Sequence, residues 1–109
     1  MAKFVSVSEL IESYKSRFIP ENADGVNTII QLRLSGEPSS DFFMMIKDQM
    51  CTITEGVHDE AVLTVNATVE DWLMLNNHEV NPMMLMMQGK LKVDGPLHMA
   101  AKFRSMFKE

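Results

Sequence analysis

Apolar and polar positions follow two periods along this chain, and the switches between them divide it into elements. Val7, Leu10, Ile11, Tyr14 and Phe18 recur three or four residues apart, with Glu9, Glu12, Lys15 and Arg17 on the opposite side. That is the stripe of an amphipathic helix. Ser6 and Glu9 stand at capping-box spacing at its start, a hydroxyl and a carboxylate answering each other's free backbone amides, and the helix ends near Pro20. Such a helix covers a sheet; a membrane-surface helix calls for a more basic polar face. Residues 21–25 read as a loop. From Ile30 the period drops to two, with Ile30, Leu32 and Leu34 set against Gln31, Arg33 and Ser35. This predicts a strand with one face wet. Beyond a loop at 36–40, residues 41–47 form a second strand with Phe42, Met44 and Ile46 inward, so that Phe43 and Met45 need cover on the other side. Asp48-Gln49 turns the chain into a third strand at 50–55, where Cys51 and Ile53 alternate with Thr52 and Thr54. A polar connection over 55–60 leads to a fourth strand at 61–66 with Leu63 and Val65 inward. Three short connections in succession imply an antiparallel meander.

Thr68 opens a helix that carries Glu70 and Asp71 in its first turn, where they suit the helix dipole, and an apolar side of Trp72, Leu73 and Leu75. Asn81 then caps a short helix with Pro82 at its first position. Residues 83–87 are apolar without a break, Gln88-Gly89 interrupts them, and 89–94 alternates as a fifth strand. Gly95-Pro96 punctuates before a last helix over 96–107. Helix, four strands, two short helices, strand and helix make an α+β domain over 1–109 with the helices collected on one face of a sheet. The apolar surface exceeds what one sheet face can cover. The helix at 83–87 is apolar all round, and the last one shows Leu97, Met99, Ala100, Ala101, Phe103, Met106 and Phe107. Such faces must be buried by protein, by a partner or by a ligand. Packing density alone favours a solid core.

Composition narrows the function classes. The 109 residues suffice for one core, with 46% apolar and 23% charged residues, as in a globular domain. A net charge of −5 leaves no cationic surplus to displace counterions from phosphates, so generic nucleic-acid binding is disfavoured. One cysteine makes no internal disulfide, the first residues lack a signal-peptide core, and no apolar run approaches the length of a membrane span. The last residues do not match the peroxisomal address. A cytoplasmic location is the expectation. Eleven methionines is an unusual number, most of them in two clusters, at 44, 45 and 50 and at 83, 84, 86 and 87. Methionine fills irregular core gaps, and it also makes walls that adapt to ligands of varying shape; composition favours the first. Catalytic chemistry is not displayed. His58, His78 and His98 stand twenty apart without a second ligand at metal spacing and read as surface residues. Cys51 sits mid-strand as packing, and Gly89-Lys90 lacks both the Ser/Thr and the upstream glycine of a phosphate loop. No enzyme activity and no cofactor are expected.

Asn81-Pro82, the run Gln88-Gly89-Lys90-Leu91-Lys92, an apolar Val93, Gly95, and a helix start carrying Leu97, Met99, Ala100 and Lys102 resemble the sterol carrier protein 2 family in order and spacing. The resemblance runs without a gap from about Val65 onward; before it only the pattern of helix then strands agrees. It implies a five-stranded, mostly antiparallel sheet covered on one face by helices, with an apolar tunnel between the layers. Sterols, fatty acids, fatty acyl-CoA or phospholipids would be bound there and transferred without catalysis. The tunnel candidates are Phe42, Met44, Ile46, Trp72, Leu75, Met83, Met84, Met87, Met99, Phe103 and Phe107. Gln88 would offer its amide to a head group, or serve as a C-cap partner for backbone carbonyls. The short helix at 81–87 or the last one would be the gate. Met86-Met87 replaces the aromatic pair expected before Gln88-Gly89, and the chain stops soon after its last helix. Members of the family also occur fused to thiolases, dehydrogenases and acetyltransferases, whereas here the domain is expected to stand alone. A second expectation is an accessory or scaffold protein for an enzyme of lipid or isoprenoid-quinone (ubiquinone-like) biosynthesis, docked through apolar surface on the last helix. Transient membrane contact, a homodimer or an enzyme partner is compatible with these readings.

Overall fold

A computed structural model describes residues 3–108. Helix α1 spans Val7–Arg17 and is followed by a 3₁₀ turn, Pro20–Ala23. Then come β1 (Thr28–Ser35), β2 (Ser40–Lys47), β3 (Met50–Glu55), β4 (Leu63–Thr68), α2 (Val69–Asn76), α3 (Pro82–Met87), β5 (Lys92–Asp94) and α4 (Leu97–Ser105). The helix starts follow the predicted caps. Ser6 accepts from the Glu9 amide, Thr68 from Asp71 and Asn81 from Met83. The fifth strand is shorter than its alternation predicts. The amides of Lys90 and Leu91 turn back to the Leu85 carbonyl at 2.9 and 3.2 Å, so Gly89 to Leu91 close α3 and only three residues remain to pair.

The five strands form one mixed sheet in the order β3-β2-β1-β4-β5. β1, β2 and β3 are the expected antiparallel meander, and β5 pairs antiparallel with β4. The expected meander fails at β4, which lies parallel to β1 on its far side. β3 ends opposite Phe42, whereas β4 begins opposite Ile30, so residues 56–62 recross the sheet over the face away from the helices. Gln31 holds that crossing. Its side-chain amide donates to the Phe42 and Gly56 carbonyls at 3.1 and 3.0 Å, and its carbonyl accepts from the His58 amide at 2.8 Å. The face predicted to be wet is therefore partly covered. Gln31 is buried, and Phe43 packs edge-to-face on His58 with ring centroids 5.1 Å apart.

On the helical side, Ile30, Leu32, Leu34, Phe42, Met44, Ile46, Leu63 and Val65 are all buried. Leu10 and Tyr14 of α1, Ala23, Trp72 of α2, Leu85 of α3, Leu91 and Met106 complete the core. Trp72 Nε1–H donates to the Tyr14 hydroxyl at 3.2 Å, joining α1 to α2 inside it. The C-terminal residues lie along the end of α1: the Ile19 amide donates to the Met106 carbonyl and the Lys108 amide to the Arg17 carbonyl, each at 2.7 Å. This pairing brings α4 over the β4–β5 end of the sheet. Gly95 permits the approach of β5 to β4. Its φ of +136° is one that side-chain-bearing residues rarely adopt, and a Cβ there would lie 2.6 Å from the Val62 carbonyl oxygen.

Candidate functional site

Between the β4–β5 end of the sheet and the helices lies a cavity of about 340 Å³. Leu63, Val65 and Val93, adjacent on the helix-facing side of β4 and β5, form its floor. Trp72 and Leu75 of α2, Pro82 and Met86 of α3, and Ala100, Ala101 and Phe103 of α4 form its walls, with Leu91 and Phe107 closing the ends. The space exists because its cover is thin. α3 buries one residue, Leu85, and α4 buries none completely, so neither presses a full apolar stripe onto the sheet.

The lining is apolar except along one side, where Tyr14, Arg17, Asn76, His78, Arg104 and Lys108 meet it. Arg17, Arg104 and Lys108 are cations, and no carboxylate among the described residues lines the space. Arg17 is held in place. Its Nε and Nη2 donate to Ser13 Oγ at 3.1 and 2.9 Å, Nη1 reaches the Lys108 carbonyl at 3.4 Å, and the guanidinium stacks over Tyr14 and Phe4. Phe4 in turn exchanges backbone hydrogen bonds with the Asn77 side chain, next to His78. His78, Met86, Ala101, Arg104 and Lys108 are all exposed and form the mouth.

Four of the twelve sequence candidates line this cavity: Trp72, Leu75, Phe103 and Phe107. Phe42, Met44 and Ile46 are fully buried on β2, which β1 separates from β4, and they fill the solid part of the core. Met99 is half-buried against that core. Met83, Met84 and Met87 point to solvent at 64%, 58% and 82% exposure. Gln88 is exposed and caps α3 through its backbone amide, which donates to the Met84 and Met86 carbonyls. Sequence reasoning passed over Tyr14, Arg17, Val93, Met86 and the α4 alanines. Arg17 reads as an ordinary solvated residue on the polar face of α1; Ser13, four residues earlier, is the one local hint that it is held. Leu63 and Val65 do read as inward, but alternation does not say which inward residues border a void.

Elsewhere, Cys51 is half-buried on β3, and burial pushes its thiol up to about 11, which opposes thiolate chemistry. No group of three or more His, Cys, Asp or Glu side chains among the described residues could hold a metal ion, and none of the helices there is long and apolar enough to cross a membrane.

Comparison with known proteins agrees with this architecture. Residues 8–108 match the model of the SCP-2 sterol transfer family. The chain is 26% identical over 104 residues to hydroxysteroid dehydrogenase-like protein 2 of Rattus norvegicus, covering 94% of this chain and 20% of that protein. It thus spans about a fifth of that relative's length. Palmitated SCP2L2 of Aedes aegypti has the same fold, with a TM-score of 0.71, 25% identity and 91% of each chain covered. A ubiquinone synthesis protein, UbiJ-SCP2, superposes with a TM-score of 0.67 at 14% identity, over 92% of this chain and 88% of its own. Fold and family model converge: the chain belongs to the SCP-2 sterol transfer family.

Proposed function

We propose that the chain binds and transfers a hydrophobic ligand without catalysing a reaction. The ligand would be a single-chain anionic amphiphile such as a fatty acid or acyl-CoA. The observation that carries this reading is an apolar cavity bordered on one side by Arg17 and Lys108, with no carboxylate in its lining among the described residues. A tail enters the apolar part, and the anionic end meets the cations at the mouth. About 340 Å³ lies at the small end of ligand pockets, which suits one chain better than the two of a phospholipid. The palmitated state of the Aedes aegypti protein supports an acyl ligand for this fold. Leaving water for the cavity gains about 0.8 kcal/mol per methylene. Leaving a bilayer gains little, because lipid tails are already apolar, so exchange with membranes is reversible. α3, anchored by Leu85 alone, is the gate.

A second reading is an accessory domain serving a lipid or isoprenoid-quinone enzyme, carried in the same chain or bound to it. It is favoured by the small share of the dehydrogenase-like relative that this chain covers and by the fold shared with UbiJ-SCP2.

Native mass spectrometry of gently purified protein, followed by organic extraction, tests the first reading. A stoichiometric fatty acid or acyl-CoA is the expected result. Ala100→Trp, which places bulk in the cavity wall, should weaken binding of a fluorescent fatty acid at least about tenfold while shifting the melting temperature little. A bare protein that ignores fluorescent fatty acids would overturn the carrier reading and leave the accessory one.

A further inference from the structure

Tyr14 carries the only hydroxyl in the cavity lining among the described residues. It is 3% exposed, and its oxygen accepts from Trp72 Nε1–H at 3.2 Å. An indole nitrogen only donates, so that bond leaves the phenol proton unused. Among the described residues no acceptor stands within hydrogen-bond distance of it. Burial raises the Tyr14 pKa from 10.0 to about 12, so the proton stays on the oxygen throughout the neutral range. Asn76, one helical turn beyond Trp72 and also in the lining, donates through Nδ2 to the Trp72 carbonyl at 2.8 Å. Its Oδ1 has no partner among the described residues. A donor and an acceptor, both set against Trp72, thus remain unpaired in the lining. Arg17 stands beside them. Its guanidinium carbon lies 4.8 Å from the centre of the Tyr14 ring, so the cation and the hydroxyl at the ring's tip are close neighbours. Three of its five N–H groups are spent on Ser13 and the Lys108 carbonyl, and two remain.

We propose that this corner of the cavity selects an acyl chain carrying a hydroxyl near its acid end, as in a 3-hydroxy fatty acid, over the plain chain. The carboxylate meets Arg17 and Lys108, and the chain hydroxyl, a few carbons in, accepts from Tyr14 and donates to Asn76. A hydroxyl both accepts and donates, which is what these two groups lack. A plain methylene chain laid over them strips both of water and returns no hydrogen bond. The preference therefore comes from a penalty on the wrong chain as much as from a bond to the right one. The closeness of Arg17 to Tyr14 sets the position, because a hydroxyl at the far end of the chain is carried past them into the apolar part. This inference rests on the carrier reading, whose ligand it narrows.

The test is displacement of a fluorescent fatty acid from the whole chain by palmitic, 3-hydroxypalmitic and 16-hydroxypalmitic acids. The 3-hydroxy acid should bind about tenfold tighter than palmitic acid, and the 16-hydroxy acid should not. Tyr14→Phe keeps the ring and removes the donor. It should weaken the 3-hydroxy acid about tenfold and tighten palmitic acid, so that the preference is lost. A thermal melt followed by circular dichroism establishes that the variant is folded at the assay temperature, and the ranking in wild type stands without it. Palmitic and 3-hydroxypalmitic acids bound alike by wild type would overturn the selection and leave the carrier reading in place. So would a preference shared by the 16-hydroxy acid, or one kept in Tyr14→Phe. Failure of the fluorescent probe and of all three acids to bind would remove the carrier reading and this inference with it.

Discussion

At Gln31 one side chain secures the step that turns a meander into a mixed sheet. Its hydrogen bonds to the Phe42 carbonyl on β2 and to the Gly56 carbonyl and His58 amide tie the start of the crossing at 56–62 to the sheet. Gln31→Ala should cost about 2–3 kcal/mol, read as a lower urea midpoint at unchanged slope, because the hydrogen bonds that pin the crossing are lost together. Tyr14 is a second such residue. Burial pushes its hydroxyl from 10.0 up to about 12, while the hydrogen bond from Trp72 and the charge of Arg17 act in the opposite direction. Below pH 10 the phenol is neutral in folded and unfolded chains alike, and its contribution is fully present. Above pH 10 the unfolded chain ionises first, so stability falls as pH rises towards 12, by on the order of 2 kcal/mol. Tyr14→Phe should remove that slope and cost about 1 kcal/mol at neutral pH through the lost Trp72 bond. Denaturant titrations at pH 7 and across the alkaline range check both. Cys51, raised to about 11, contributes in the same direction from pH 9 upward, and the slope left in Tyr14→Phe belongs to it. At the cavity mouth, Lys108→Glu should weaken a fluorescent fatty acid several-fold and leave a neutral sterol probe unaffected, since the change reverses one charge without altering the apolar lining.

At the scale of elements, α3 is a helix formed by its caps and held by one side chain. Asn81 and Pro82 start it, Gly89 at a φ of +72° ends it, and Leu85 alone anchors it. Leu85→Ala should cost about 2–4 kcal/mol. It should also raise amide hydrogen exchange over 82–91 more than in β1, whereas M83S/M87S should leave both unchanged. Equal protection of α3 in Leu85→Ala and wild type would count against the gate. β5 depends on its turn in the same way. Gly95→Ala combines an unfavourable φ with a clash against the Val62 carbonyl, and a loss of at least about 2 kcal/mol is expected in thermal melts. The elements themselves were legible because caps, prolines and periodicity are local signals. Ser6, Thr68 and Asn81 all cap the helices that they precede. The short fifth strand was less legible, because the Leu85 carbonyl captures amides that alternation alone assigns to a ladder.

For the whole molecule, the cavity is a property of arrangement. If the carrier reading holds, a ligand at a hundredfold excess over its Kd should raise stability by about 2.7 kcal/mol, visible as a concentration-dependent melting temperature. The α+β class, the number of strands and the helices on one face followed from hydrophobic period and capping, and the motif between Asn81 and Lys102 carried the family. Trp72, Leu75, Phe103 and Phe107 were within reach because they sit on faces that must be buried somewhere. Phe42, Met44 and Ile46 have the same signature and lie in the solid core, since β1 stands between their strand and β4. Helical spacing marks Met83, Met84 and Met87 as apolar, but only the packed fold shows that nothing covers them. Local order is written into adjacent residues because caps, turns and amphipathic periods act over a few positions. Strand neighbours, the void under β4 and β5 and the cations beside it arise from contacts between segments distant in sequence, and those only the tertiary structure decided.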